Sequence, residues 1–364
     1  MTDIIRLHKL LFVQLFVFSV SKDQTNFQGE KEMKKLLTIV LALSMVLCLA
    51  ACGSSAPAAS TAPAASEAPA EASVTYNVGI CQLVQHPALD AATQGFIDTL
   101  TAKLGDQVSF NNQNASGDTA TCALICNQFV SDGVDLIMAN ATPALQAAVS
   151  ATGSIPILGT SVTEYGVALG IDGFTGKTGM NVSGTSDLAP LDAQAQMLID
   201  LLPDAKTVGL VFCTSEANSR YQVDVVGKYL TDAGLTVSEY AFSDSNDVAS
   251  VVSAACAECD ALYIPTDNTA ASCTEAINNV ALPAGVPIIA GEEGICSGCG
   301  IATLSIDYYD LGCATGEMAY ELLTQGADIA SMEIRYAPQF TKKYNAANCE
   351  TLNITIPDDY VVIE

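Results

Sequence analysis

The stretch DALYIPTDNT, residues 260–269, decides the fold. Ala261 to Ile264 read as a buried strand that Pro265 ends, and Thr266, Asp267 and Asn268 form a polar tip before a helical pattern over 269–282. In α/β sheets, ligands bind beyond the carboxyl ends of the strands, where loops run into helix N-termini. A carboxylate between a Thr and an Asn at such a tip is suited to hold a small polar ligand.

The same block stands 125 residues earlier as DLIMANAT, 135–142. VGI at 78–80 returns as VGL at 208–210, and IPIL at 155–158 as VPII at 286–289, offsets of 130 and 131. A near-constant offset across three separate strands predicts two similar lobes facing each other across a ligand.

Outward from these blocks, strand and helix patterns alternate. The first set has strands at 75–81, 108–112, 136–140 and 155–160, with helices at 87–104, 119–131 and 143–151. A connecting strand at 181–187 leads to the second set: helices at 190–202, 217–233, 247–258 and 269–282, and strands at 207–213, 236–242, 261–264 and 286–290. A further connecting strand, 301–305, leads to a helix at 308–325, and 353–356 is expected as an edge strand. This alternation means parallel sheets with crossover helices. The expected fold is α/β: two Rossmann-like lobes with parallel sheets, joined by crossing strands, with a cleft between them. Lobe 1 is expected at 74–184 plus 303–330, and lobe 2 at 185–302 plus 331–364. Gly184 and Gly300, at the crossings, are expected to absorb closure.

A length of 364 residues suits two domains. Half the residues are hydrophobic and 15% are charged, so most of the chain should be globular. The net charge of −26 leaves no basic face for nucleic acid. His8 and His86 are the only histidines, which argues against His-based triads and multi-His metal sites.

The N-terminus has its own pattern. Lys34 and Lys35 follow Met33, an apolar run covers 36–47, and Leu49-Ala50-Ala51-Cys52 closes it. This is a secretory signal. It resembles the bacterial lipoprotein signal, in which the Cys is lipidated, here Cys52. Residues 1–32 read as an upstream extension, because their apolar run at 7–20 is short for a membrane span. The Ala/Pro/Ser stretch at 53–73 reads as a flexible tether. Residues 52–364 hold eight Lys/Arg against thirty-six Asp/Glu, a net of −28.

Eight blocks then carry a resemblance: GICQLVQHPALDAATQGF (79–96), QNASGD (113–118), FVSDGVDLI (129–137), ATPALQAA (141–148), SDLAPL (186–191), TSEANS (214–219), YIPTDN (263–268) and IDYYDLG (306–312). In this order they resemble the ABC-transporter substrate-binding lipoproteins associated with tryptophan and other aromatic amino acids. The resemblance runs from about Val74 to the C-terminus. It implies a type I periplasmic-binding fold, capture of a small solute outside the membrane, and delivery to a permease with its ATPase. A monomer held on the extracytoplasmic face by its N-terminal lipid is expected. Two departures stand out: the richness in Cys, and residues 174–180 in place of a simpler Gly-rich turn.

An amino acid offers a carboxylate, an ammonium and a side chain. The carboxylate calls for N–H groups and hydroxyls at helix N-termini, and the candidates are Thr142, Thr160, Ser161 and Ser186. For the ammonium, Asp267 with its neighbours Thr266 and Asn268 comes first, then Asp187, then Asp307. Gln85 and His86 stand at the first strand end of lobe 1, and Glu216 and Asn218 at the matching place in lobe 2. Tyr308 is a candidate wall for an aromatic ring. Each has a plain alternative, as a helix cap, a turn or hinge packing.

Thirteen Cys look like a metal or disulfide case. Without Cys48 in the signal and Cys52 at the lipid site, eleven remain, an odd number that cannot all pair within one chain. Cys256, Cys259, Cys296 and Cys299 have zinc-ribbon spacing, but the two pairs fall on different units. The preferred reading is Cys as a small hydrophobe, with no metal and no cofactor, and a local Cys296–Cys299 disulfide stays open. The sequence holds no G-x-S-x-G, no phosphate loop and no paired catalytic His, so no enzyme is expected. A lipoprotein that presents another amino acid, a nucleoside or a sugar to a membrane receptor remains the alternative.

Overall fold

The central strands of each sheet form where apolar residues run with little interruption. All five residues of β3 (Leu136–Asn140) and all four of β8 (Ala261–Ile264) are buried, as parallel strands covered on both faces require. The structure, a computed structural model, describes residues 75–363. The expected extension, the signal with Cys52, and the tether lie outside the described residues. No described helix is long and apolar enough to cross a membrane.

Lobe 1 is a parallel sheet in the order β2-β1-β3-β4-β5, with β1 (Tyr76–Gln82), β2 (Val108–Asn114), β4 (Ile157–Val162) and β5 (Val182–Ser186). Lobe 2 repeats it as β7-β6-β8-β9-β10, with β6 (Thr207–Cys213), β7 (Thr236–Phe242), β9 (Ile288–Ala290) and β10 (Ala302–Ser305). Three late strands close the edges. β11 (Arg335–Tyr336) joins β5, while β12 (Thr341–Tyr344) and β13 (Val361–Val362) extend lobe 2 beyond β10.

The internal repeat carries through to the register. Val78 pairs with Leu136 in lobe 1, and Val208 with Ala261 in lobe 2. Ile137 pairs with Ile157, and Leu262 with Ile288. These partners differ by the sequence offsets 130, 125 and 131. Even the opening Asp of each block has one job: Asp135 accepts from Asn77 N, and Asp260 from Lys206 N and Thr207 N. Each braces the start of a strand at the end of the sheet away from the cleft.

Twelve described helices cover the sheets: α1 (Pro87–Leu104), α2 (Thr119–Asp132), α3 (Thr142–Ala151), α4 (Tyr165–Leu169), α5 (Leu191–Leu201), α6 (Ala217–Asp232), α7 (Val248–Glu258), α8 (Asn268–Ser272), α9 (Thr274–Ala284), α10 (Glu293–Cys299), α11 (Tyr308–Gln325) and α12 (Ala346–Thr351). The single helix expected at 269–282 is two, because the backbone leaves the helix at Cys273. The short helices α4 and α10 were not expected. Both contain Gly and both are capped by Glu, an unusual cap, at Glu164 and Glu292. Residues 353–356 form no strand; the outer edge is β13 instead.

The chain passes between the sheets three times: after Ser186, after Ser305 and after Tyr336. The last lobe-1 segment therefore extends past residue 330, to the pairing of β11 with β5. The two glycines expected as hinges lie off these crossings. Gly184 sits inside β5 at φ 145°, where a Cβ would meet Gly159 O at 2.0 Å. It permits a close approach of backbones rather than a bend. Gly300 ends α10. Helices α1 and α11 lie almost backbone to backbone: a Cβ on Gly312 would meet Ala92 O at 2.0 Å, and one on Gly95 would meet Tyr309 O at 2.2 Å.

The eleven Cys from Cys81 onward are all free, and eight are buried. Cys81, Cys122 and Cys126 belong to the lobe 1 core, and Cys213, Cys259, Cys296 and Cys299 to that of lobe 2. Among the described residues, no group of three or more His, Cys, Asp or Glu is placed to hold a metal ion.

Candidate functional site

The functional candidates stand at the carboxyl ends of the strands, in register between lobes. His86 and Glu216 occupy the N-cap positions of α1 and α6, 130 residues apart. Thr142 begins α3 and its counterpart Asp267 caps α8, 125 apart. Ser161 and Glu292 follow the same pattern at 131. Lobe 1 thus presents an imidazole and two hydroxyls where lobe 2 presents three carboxyls. All six side chains are buried.

The lobes meet at these ends. From lobe 1 come His86 and Leu89, from the crossings Asp187 and Tyr308, and from lobe 2 Thr266, Asp267, Asn268, Ala271 and Glu292. They enclose about 10 Å³, room for about one water. No Lys or Arg is among them. Beside them runs a groove of about 510 Å³, which shares Ala271, Glu292 and Tyr308. His86 Nε2 lies 3.2 Å from Asn268 Oδ1, a direct bond between the lobes. The lobes also touch where α10 meets α1 and where α4 meets α6.

The acids are held in different ways. Glu216 is a structural brace, since its two oxygens accept from the backbone N–H groups of Asn268 and Thr269 and from both of their side chains. Asp267 accepts from Ala270 N and Cys213 N, one bond on each oxygen. Glu292 accepts from Gly294 N and Ile295 N. Asp187 differs: Tyr308 Oη donates to its Oδ2 at 3.0 Å, while Oδ1 is buried with no partner. The first choice for an ammonium from the sequence, Asp267, is therefore already engaged as a cap. Asp187 keeps an oxygen available.

Burial raises the affinity of these groups for protons. The Asp187 carboxyl is pushed up to about 6 by burial, partly offset by the neighbouring hydroxyls of Thr163 and Tyr308. Asp267 is pushed up to about 7 by burial and by the nearby Glu216 charge. Glu292 is pushed up to about 7 by burial, against its two N–H bonds. Burial lowers His86, which favours the neutral imidazole.

Among the described residues, seven buried side-chain polar atoms have no partner, and five belong to residues singled out in the sequence: His86 Nδ1, Thr142 Oγ1, Ser161 Oγ, Asp187 Oδ1 and Asn218 Oδ1. Buried polar atoms are rarely left unpaired; His86 and Asp187 line the small pocket, and Thr142 and Ser161 stand at the carboxyl ends of β3 and β4. Two residues there carry left-handed backbone: Ala141 at φ 93°, just before Thr142, and Ser161 at φ 53°. Such strain clusters at ligand clamps.

Other candidates serve the fold. Thr160 shares a buried hydroxyl contact with Thr185, which in turn meets Thr315. Ser186 donates to Thr163 O and accepts from Leu188 N, shaping the first crossing. Asp307 is exposed and caps α11, outside the pocket lining between the lobes. Gln85 is exposed. Thr266 bonds to Gly291 O and Gln222, and Asn218 donates to Thr266 O. Glu292 and the apolar Leu89 and Ala271 were not anticipated. The repeat holds the signal for Glu292, because adding its 131-residue offset to Ser161 lands on it.

Comparison with known proteins agrees with this architecture. The family model for ABC transporter substrate binding protein matches residues 77–363. A tyrosine-binding protein of Clostridioides difficile (strain R20291) is 41% identical over 261 residues, covering 71% of this chain and 75% of that one. A Streptococcus pneumonia ABC domain in complex with L-Trp superposes with a TM-score of 0.75 at 33% identity, over 79% of this chain and 100% of that one. The ligand-free, open structure of a Clostridium difficile substrate binding protein with adhesive properties gives 0.61 at 36% identity, over 80% and 99%. The two-lobed α/β fold is that of the type I periplasmic-binding proteins. With nearly the whole described region matched and this cleft between its lobes, the chain belongs to the ABC transporter substrate-binding protein family, a family of binding proteins rather than enzymes.

Proposed function

We propose that the chain captures an aromatic amino acid as a zwitterion between its lobes. The carboxylate lies on the lobe 1 side, against the hydroxyls of Thr142 and Ser161 and the N-terminus of α3, whose dipole favours an anion. The ammonium lies against Asp187, facing the carboxyls of lobe 2. The observation that carries this reading is the polarity of the cleft. Unpartnered hydroxyls stand at the carboxyl ends of lobe 1 strands and buried acids at those of lobe 2, with no Lys or Arg in the pocket lining. The tyrosine-binding and tryptophan-bound relatives support an aromatic side chain.

Ligand binding favours the closed arrangement by bonding both lobes. One chain supplies both walls, which supports a monomer. The protein is held on the extracytoplasmic face of the membrane through lipid on Cys52, as the signal pattern at 33–52 supports. It delivers its ligand to a permease with its ATPase, a role that the family supports.

A thermal-shift panel on the full chain tests the reading, with the standard amino acids, indole compounds, nucleosides and simple sugars. A ligand at one hundred times its Kd stabilises by about 2.7 kcal/mol. Tyr, Trp or Phe should raise the melting temperature. A rise with sugars or nucleosides alone would overturn the ligand class.

A further inference from the structure

His86 is 6% exposed, and its two ring nitrogens face different fates. Nε2 meets Asn268 Oδ1 across the cleft at 3.2 Å, whereas Nδ1 is buried without a partner. The direction of the first bond follows from the network behind it. Glu216 Oε2 receives the backbone N–H of Asn268, and Oε1 that of Thr269. A backbone N–H can only donate, so both oxygens accept. The Asn268 side-chain atom 2.6 Å from Glu216 Oε2 is then its donor, Nδ2. That turns Asn268 Oδ1 toward His86, and Nε2 carries the imidazole proton. With burial keeping the ring neutral, Nδ1 is left as a bare acceptor.

A buried acceptor in the wall of a ligand pocket calls for a donor on the ligand. In the zwitterion described above, the carboxylate only accepts, and the three N–H groups of the ammonium are turned to Asp187 and the carboxyls of lobe 2. The remaining donor is on the side chain. Leu89 and Ala271, in the same pocket wall, give that side chain apolar surroundings. We infer that His86 Nδ1 accepts a hydrogen bond from the ligand's ring, a phenol O–H or an indole N–H, and so selects tyrosine and tryptophan over phenylalanine. The inference rests on the aromatic amino-acid reading of the cleft. A site built around a hydrogen bond discriminates against an analogue lacking the donor, because its own buried group is then left unpaired.

Calorimetry on the full wild-type chain tests this with matched ligands: L-Tyr against L-Phe, and L-Trp against 3-benzothienyl-L-alanine, in which sulfur replaces the N–H. The donor-lacking member of each pair should bind about tenfold to a hundredfold more weakly. In the same chain, the ¹⁵N resonance of His86 Nδ1 should move toward its hydrogen-bonded position on adding L-Tyr and stay in place with L-Phe. His86→Phe should bring L-Tyr and L-Phe to similar affinities. Equal binding of L-Tyr and L-Phe to the wild type, or an Nδ1 resonance indifferent to L-Tyr, would overturn the role of His86 while leaving the aromatic reading in place. Failure of every aromatic amino acid to bind would overturn both.

Discussion

Tyr308 donates its phenol proton to Asp187 Oδ2 at 3.0 Å, tying the second crossing to the first inside the cleft. The bond fixes the carboxyl and leaves its other oxygen, Oδ1, buried without a partner. A carboxylate held in this way can receive an ammonium without rearranging. Asp187→Asn keeps the shape and removes the charge. Affinity for the amino acid should fall about tenfold to a hundredfold, since a hydrogen bond to a charged group is lost. The melting temperature of the unliganded chain should hold or rise, because a costly buried charge is gone. Calorimetry and a thermal melt read the two effects separately.

Asp267 should behave in the opposite way. Its oxygens accept from Ala270 N and Cys213 N, so Asp267→Ala removes a helix cap and leaves a buried N–H unpaired. Stability should drop by about 2–3 kcal/mol. The affinity loss should be smaller than for Asp187→Asn when both are measured well below the melting point.

The pH dependence has a defined sign. Asp187, Asp267 and Glu292 hold their protons to about pH 6–7 in the folded chain, above the values near 4 of the unfolded chain. Between about pH 4 and pH 7 the folded state therefore binds more protons, and stability falls as pH rises. His86, lowered by burial, acts the other way, one group against three. The unliganded chain should melt higher at pH 5 than at pH 7.5. An ammonium ligand favours the ionised acid, so affinity should instead rise from pH 5 to 7.5. Binding at pH 6.5 should release protons, seen as a buffer-dependent heat.

The pairing of α1 and α11 positions both His86 and Tyr308, since these residues stand at the two helix starts. A Cβ on Gly312 would strike Ala92 O. Gly312→Ala should cost about 1–3 kcal/mol, the usual range for overpacking. It should also weaken ligand binding, though Gly312 is not part of the pocket lining. A thermal melt and a titration of the same sample check both effects.

Native alkylation should label Cys256, Cys273 and Cys313, the partly exposed thiols, and spare the eight buried ones until the chain unfolds. Mass spectrometry of peptides reads this directly. A reductant should leave the melting temperature unchanged.

The sequence carried much of this fold because its signals were local. DLIMANAT and DALYIPTDNT are uninterrupted apolar runs with polar ends, and their offsets repeat the strand register from Val78–Leu136 to Val208–Ala261. The helices over Pro87–Leu104 and Tyr308–Gln325 were legible to the residue. The misses share a cause, which is dependence on contacts distant in sequence. Glu292 and Glu164 cap short Gly-containing helices that lack a periodic apolar face long enough to read. The difference between Asp267 and Asp187 lies in partners far away in the chain, Cys213 and Tyr308, which no spacing rule reveals.

The most direct test of the central claim is calorimetry of the full chain with L-Tyr and two truncated relatives. Tyramine lacks the carboxylate, and 3-(4-hydroxyphenyl)propionate lacks the ammonium. If lobe 1 holds the carboxylate and Asp187 the ammonium, each truncation should weaken binding at least about a hundredfold, with the loss on removing the ammonium largely absent in Asp187→Asn. Near-equal affinities of L-Tyr and either relative would contradict a cleft that reads the zwitterion.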